Sequence, residues 1–189
     1  MDLRSLTERR PPWVVFTRTD DPWLEAEAEH LQSAGGHVIR FDGRRLLEPS
    51  QVFSAFDEAM SLPDYFGRNW DALADCLHDW HAHGFGSKEV AILIDHADEL
   101  ASKAFLGTFV AVLCQAAWQA NLRLDSDGNP DEHLQPFTMH TVFLLDIHSP
   151  ATLTEIVGST RDVETTVRHG RLLASLDATA WPSTARDDR

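Results

Sequence analysis

The sequence predicts an α/β fold in which a small parallel β-sheet packs against helices. Four short apolar, β-branched runs alternate with segments that have the periodicity of helices. The run VAILID at residues 90–95 is apolar almost throughout, as strands are when a parallel sheet buries both of their faces. An extra N-terminal strand–helix unit and a partly helical C-terminal tail are expected on either side of this core.

The N-terminal extension, residues 1–36, predicts one strand and one helix. The β-branched run at residues 13–17 has the composition of a strand. Aspartates followed by a proline start a helix over residues 23–34, and two glycines end it. With a second strand at residues 37–41, these elements make a unit long enough for a right-handed crossover. We expect the first strand to add to the edge of the sheet.

The central domain, residues 37–146, contains the remaining core elements. After its first strand we expect a helix between Pro49 and Pro63, a helix over 70–80, the strand at 90–95, a long helix centred on 105–119 and a strand over 138–146. The C-terminal extension, residues 147–189, is less apolar. Two of its stretches, 153–157 and 167–176, have helical patterns, and residues 177–189 are expected to fray.

The charge of the chain restricts its partners. Thirty acidic residues against sixteen basic ones give a formal net charge of −14. A surface this negative repels nucleic acid and anionic lipid, and it attracts a basic protein. The N-terminal residues lack the apolar segment of an export signal, and Cys76 and Cys114 lie among apolar neighbours. We therefore expect a cytoplasmic protein with free, buried thiols.

The helix predicted over residues 70–80 has two different faces. Four apolar side chains recur at the spacing of a core-facing stripe, namely Leu73, Cys76, Leu77 and Trp80. Three aspartates lie at four-residue intervals on roughly the opposite face, namely Asp71, Asp75 and Asp79. Like charges at this spacing repel each other by about 0.2–0.5 kcal/mol per pair. Helix stability alone therefore does not explain them.

The loop before this helix, residues 63–68, brings an aromatic side chain beside the acidic face. Gly67 permits a positive φ between two helices, and Asn69 can cap the second helix. This geometry leaves Tyr65 or Phe66 at the tip of the loop. An exposed tyrosine beside carboxylates has the composition of a protein-binding hot spot. The competing interpretation is a solvated helix face with the aromatic side chain in the core.

These residues resemble the barstar family, the intracellular inhibitors of barnase-type ribonucleases. The resemblance rests on LPDYFG at 62–67, Asn69, DAL at 71–73 and DCL at 75–77, and it extends more weakly over 38–146. It implies a three-stranded parallel sheet packed with helices, and a protein that binds rather than catalyses and needs no cofactor. It further implies that the loop and the helix enter the active site of a basic ribonuclease, where carboxylates take the place of substrate phosphates.

The resemblance also implies roles for individual residues. Tyr65 matches the loop tyrosine that contacts the enzyme's catalytic region, and Asp71 and Asp75 match the aspartates that pair with its arginines. The other predicted partner-binding residues lie around these three: Phe66, Gly67, Arg68, Asn69, Ala74 and Asp79. We expect the protein to be monomeric when it is free.

Three positions depart from the family pattern. Ala74 replaces a tryptophan, Arg68 replaces an acidic residue, and a contacting glutamate of the last long helix aligns near Ala116. These departures leave the partner open between a barnase-like ribonuclease and a non-ribonuclease protein, for example another toxin domain to which the chain gives immunity.

Three other groups of residues suggest chemistry less strongly. His78, His81 and His83 have a spacing that metal ligands can adopt, but the pattern is incomplete. Asp125, Asp127 and Asn129 resemble a calcium loop that lacks its final glutamate. Asp95, His96, Asp98 and Glu99 follow a strand where α/β active sites gather, but helix-capping acids are the preferred explanation. We expect no metal site and no catalytic residue.

Overall fold

The computed structural model describes residues 5–80, 89–122, 136–179 and 181. The strands and helices of these residues come in the following order: β1 Val14–Arg18, α1 Pro22–Ser33, β2 His37–Asp42, α2 Pro49–Met60, α3 Trp70–His78, β3 Val90–Asp95, α4 Leu106–Leu122, β4 Met139–Leu145, α5 Thr154–Gly158, β5 Val163–Arg168 and β6 Arg171–Leu176. Short 3₁₀ turns follow β2 and β3 and precede α5.

One six-stranded sheet has the order β2-β3-β4-β1-β6-β5. The strands β2, β3, β4 and β1 are parallel to one another. β6 pairs antiparallel with β1, and β5 pairs antiparallel with β6. The predicted α/β class with a parallel sheet is therefore confirmed.

The first strand extends the parallel part of the sheet but does not form the edge of the whole sheet. Val14 lies opposite Thr141 of β4 on one side and Ala174 of β6 on the other. The strand therefore adds to the edge of the three-stranded parallel part, as expected, and the C-terminal segment then extends the sheet by two further strands. Although β1 and β2 are consecutive in the chain, β3 and β4 lie between them.

The helix expected over residues 167–176 is also wrong, because this stretch belongs to a β-hairpin. His169 and Gly170 form its two-residue turn with φ of 50° and 77°, the positive values that primed hairpin turns require. Leu172 and Leu173 are both buried, but on opposite faces of the sheet. Adjacent apolar residues break the apolar–polar alternation of a half-buried strand, and they also occur on the buried face of a helix. The other expected C-terminal helix is present as α5.

Side chains of β1 show how the sheet is buried on both faces. Phe16 stacks on Phe143 at 4.5 Å between ring centroids, and Phe109 of α4 contacts Phe143 from the same side. Val15 belongs to a separate cluster with Leu24 of α1 on the other face. Burial of each such side chain stabilises the fold by about 1.5–3 kcal/mol. Helix α1 thus covers one face, and α4 packs on the other.

An ion pair joins the N-terminal extension to the hairpin. Arg171 donates two hydrogen bonds to the carboxylate of Asp21, at 2.5 and 2.8 Å, and its guanidinium lies 4.4 Å from the ring centroid of Trp23. Asp21 also caps α1 by accepting from the Trp23 amide, and it accepts from the Thr17 hydroxyl. Burial raises the pKa of Asp21, but the hydrogen bonds from Arg171, Thr17 and Trp23 outweigh it and lower the pKa to about 2.

Both cysteines are free and buried, as the sequence predicts. None of the helices in the described ranges has the length and apolar character needed to cross a membrane.

Candidate functional site

The segment between α2 and α3 is fixed at both ends. Ser61 ends α2 in the left-handed conformation, with φ of 50°. At the other end, the side-chain oxygen of Asn69 accepts a hydrogen bond from the Ala72 amide at 2.9 Å, which confirms the predicted cap. The chain therefore enters α3 along a defined path.

The residue with positive φ in this loop is Arg68, with φ of 49°, and not Gly67. The prediction for Gly67 is wrong in this respect. A Cβ atom at Gly67 would lie only 3.1 Å from the side-chain nitrogen (Nδ2) of Asn69, and this nitrogen donates a hydrogen bond to the Gly67 carbonyl. Glycine therefore leaves space for the capping side chain.

Helix α3 is anchored by its apolar face. The four residues of the predicted stripe are all buried: Leu73, Cys76, Leu77 and Trp80. The indole of Trp80, two residues after the end of α3, donates a buried hydrogen bond to the Met60 carbonyl at 2.7 Å, which joins the end of α3 to the end of α2. At the start of α3, Trp70 packs edge-on against Phe53 at 4.8 Å between ring centroids. These contacts set the orientation of the opposite face.

The two loop aromatics point in opposite directions. Phe66 is buried and packs edge-on against Phe53, whereas the Tyr65 side chain is 75% exposed. Asp71 and Asp75 are exposed as well, one helical turn apart, and their carboxylates form no hydrogen bond or ion pair with any described residue. We call Tyr65, Asp71, Asp75 and Asp79 the acidic surface.

The acidic surface creates a local negative field. Burial, together with the carboxylates of Asp75, Asp79 and Asp57, raises the pKa of the Cys76 thiol. Asp79, at the C-terminal end of α3, lies 3.2 Å from the Nε2 atom of His78. The carboxylates are thus concentrated around one helix, where they would favour a cationic partner.

The other predicted site residues lie beneath or beside the acidic surface. The Ala74 side chain is 1% exposed and belongs to the core, as does Phe66. Arg68 donates to Asp57 of α2 at 2.7 Å, in a pair that sequence reasoning missed. The two residues are eleven positions apart, and their contact depends on the conformation of the loop. Ala116, where the family glutamate aligns, is fully buried in α4.

The acids after β3 have a structural role that differs from the expected one. Asp98 accepts hydrogen bonds from the amides of Asp146, Ile147 and His148 at 2.7–3.0 Å, and from the His148 ring. Burial raises the pKa of Asp98, but these hydrogen bonds lower it to about 2. Asp98 therefore caps the loop after β4 rather than a helix, and His96 bonds to Asp146 beside it.

The metal hypotheses concern residues that are mostly outside the described ranges. His81, His83 and the loop with Asp125, Asp127 and Asn129 lie there. Within residues 5–80, 89–122, 136–179 and 181, histidine, cysteine and acidic side chains form no group of three that could hold a metal ion.

The parallel part of the α/β core thus carries an acidic helix and an exposed loop tyrosine, an arrangement typical of a protein-interaction module. The profile of the family described as Barstar (barnase inhibitor) matches residues 36–130, which is half of the chain. The chain belongs to this family, as the resemblance of its motif predicts. No curated protein matches the sequence. The family match begins just before β2 and ends before β4, so β1, α1 and the hairpin lie outside it.

Proposed function

We propose that the protein binds a basic barnase-like ribonuclease and blocks its active site with the acidic surface. One observation carries the proposal: Tyr65, Asp71 and Asp75 are all exposed, and the two carboxylates have no partners among the described residues. A ribonuclease site holds cationic groups arranged for phosphate, and a carboxylate held in place imitates that phosphate.

The rigidity of the acidic surface supports this role. The Asn69 cap, the buried apolar stripe and the Trp80–Met60 hydrogen bond all hold α3 before a partner arrives. Binding then orders few side chains, which reduces the entropy that association costs. The net charge of −14 adds long-range attraction for a basic enzyme and speeds encounter.

Under this proposal the protein acts by occupying a site and performs no catalysis of its own. Members of the Barstar family are inhibitors. We place the protein in the cytoplasm, where it would protect the cell from a ribonuclease made by that cell or delivered to it.

A second candidate is a non-ribonuclease partner, such as another toxin domain. The Arg68–Asp57 pair favours it, because a cation stands beside the acidic surface where the family has an acid. The buried alanine at position 74 also removes the large side chain that the family carries there. Both changes alter the surroundings of the surface but leave its tyrosine and two aspartates in place.

The test is a titration of a barnase-like ribonuclease with the purified full chain in an RNA-cleavage assay. We expect inhibition by the wild type and a loss of at least roughly 30-fold in affinity for Asp75→Ala, the effect of a hot spot of about 2 kcal/mol. Glu29→Ala, which removes an exposed carboxylate from α1, is the matched control and should inhibit normally. Equal inhibition by wild type and Asp75→Arg would refute the proposal.

A further inference from the structure

The strand β5 is a sheet edge that lies outside the family segment. Among the described residues, β6 alone pairs with it, on one side. Four of its six residues are β-branched, and Val167 is 44% exposed. Edge strands are commonly protected by charged side chains, above all lysine, by a proline or by a bulge. β5 has no lysine or proline and pairs with β6 residue by residue, and its two charged residues, Glu164 and Arg168, have opposite signs. An edge of this kind is suited to pairing with another strand.

The hydrogen bonds of the hairpin show which backbone groups of β5 point outwards. The Asp177 amide donates to the Asp162 carbonyl at 2.9 Å, so residue 162 faces β6. Facing and outward positions alternate along an antiparallel ladder. Glu164, Thr166 and Arg168 therefore also bond to β6, and the amides and carbonyls of Thr165 and Val167 point away from the sheet.

The side chains of β5 carry charges of opposite sign at its two ends. Glu164, Thr166 and Arg168 share one face of the strand, since alternate residues lie on the same side. Both charged residues are exposed, and neither forms an ion pair with another described residue. The order of residues on this face is acid, threonine, base. When two such strands pair antiparallel, the acid of each strand can therefore lie opposite the base of the other.

We propose that β5 pairs antiparallel with β5 of a second copy of this chain, about a twofold axis at Thr166. Thr165 then lies opposite Val167 of the second copy, and their outward amides and carbonyls exchange two hydrogen bonds, which the symmetry repeats. Glu164 lies opposite Arg168 of the second copy, also twice. The two sheets become one continuous sheet, and this proposal takes the place of the expectation that the free protein is monomeric.

Other registers lose the pairing of Glu164 with Arg168 of the second copy. Moving the axis to residue 165 places Arg168 opposite Asp162, which has φ of 64° and lies outside the strand. Moving it to residue 167 places Glu164 opposite the hairpin turn. The axis at Thr166 keeps residues 164–168 paired and places both charged residues opposite their counterions.

The proposal is independent of the partner of the acidic surface, because none of its residues belongs to that surface. The net charge of −14 per copy opposes association at long range. The dimer should therefore be measured at physiological ionic strength, where charges farther apart than about 8 Å are largely screened.

The test is sedimentation equilibrium of the full chain over a range of concentrations. We expect the wild type to dimerise, and Glu164→Arg and Arg168→Glu to weaken the dimer by roughly 10-fold each, because each change places like charges opposite one another twice. The double variant E164R/R168E restores opposite charges and should restore the dimer. Glu29→Arg, the same charge change on α1, is the control.

A further variant, Val167→Pro, removes an outward amide and no hydrogen bond within the hairpin, so it should abolish the dimer while circular dichroism shows an unchanged fold. A wild type that stays monomeric at every concentration overturns the proposal. The proposal is also overturned if both single charge variants dimerise as well as the wild type, or if the double variant does not regain the dimer.

Discussion

Carboxylates occupy two regions of this molecule and contact different things in each. At the ends of the parallel strands, Asp21 and Asp98 accept several hydrogen bonds each, and these lower the pKa of both groups to about 2. On α3, the carboxylates of Asp71 and Asp75 accept none from the described residues. The first group stabilises the fold, and the second is available to a partner. Net charge alone cannot distinguish these two uses of the same residue type.

The largest effect that separates the two regions is expected for Asp21→Ala. The change removes the cap of α1 and leaves Arg171, whose side chain is only 18% exposed, without its carboxylate. Loss of one partner of a buried ion pair destabilises a protein by about 3–5 kcal/mol, and the partial exposure here favours the lower end. Urea unfolding measures the loss. Asp75→Ala is the control and should change stability by less than about 0.5 kcal/mol. Equal stability of the two variants would contradict the division into two regions.

A change beneath the acidic surface should have the next largest effect. Ala74→Trp restores the family residue, but the alanine is 1% exposed, so the larger side chain overfills the core. We expect a loss of about 1–3 kcal/mol in the free energy of unfolding and weaker inhibition, because α3 must shift. Thermal unfolding and the RNA-cleavage assay measure the two effects. Unchanged stability would show that this part of the core has room for the ring.

Acid should weaken the structural carboxylates in a defined range of pH. The pKa of Asp21 and of Asp98 is about 2 in the fold, below the ordinary 3.8, so the unfolded chain binds more protons between these values. Their stabilisation is complete above about pH 4 and is lost as the pH falls towards 2. After solvent screening we expect roughly 1–2 kcal/mol from each. The variant D21N/D98N should show a flatter dependence of unfolding free energy on pH in this window, and a dependence as steep as that of wild type would contradict the assignment.

The smallest effect is expected for Arg68→Ala beside the acidic surface. The Arg68 side chain is 60% exposed, and ion pairs this exposed contribute at most about 1 kcal/mol. The change also frees the Asp57 carboxylate and makes the region more negative. We therefore expect nearly unchanged stability and faster association with a basic ribonuclease at low salt, measured by stopped-flow mixing. A slower association would indicate that Arg68 itself contacts the partner.

The sequence predicted the two faces of α3 because helical periodicity depends only on local spacing. It left open which loop aromatic is exposed, since Tyr65 and Phe66 are adjacent and similar in size. It could not predict the Asp21–Arg171 pair, whose members are distant in the chain and meet only because β1 lies beside β6. It also missed the hairpin, because Leu172 and Leu173 are buried on opposite faces of a sheet.

The position of β1 has a consequence for how the chain acquires its structure during synthesis. This strand is made first among the six, yet both of its neighbours, β4 and β6, lie far downstream. Pairings between such distant segments make folding slow, because the intervening chain must first be closed into a loop. The six-stranded sheet therefore stays unfinished on the ribosome until β5 and β6 have emerged, and β1 has no neighbouring strand until β4 is made.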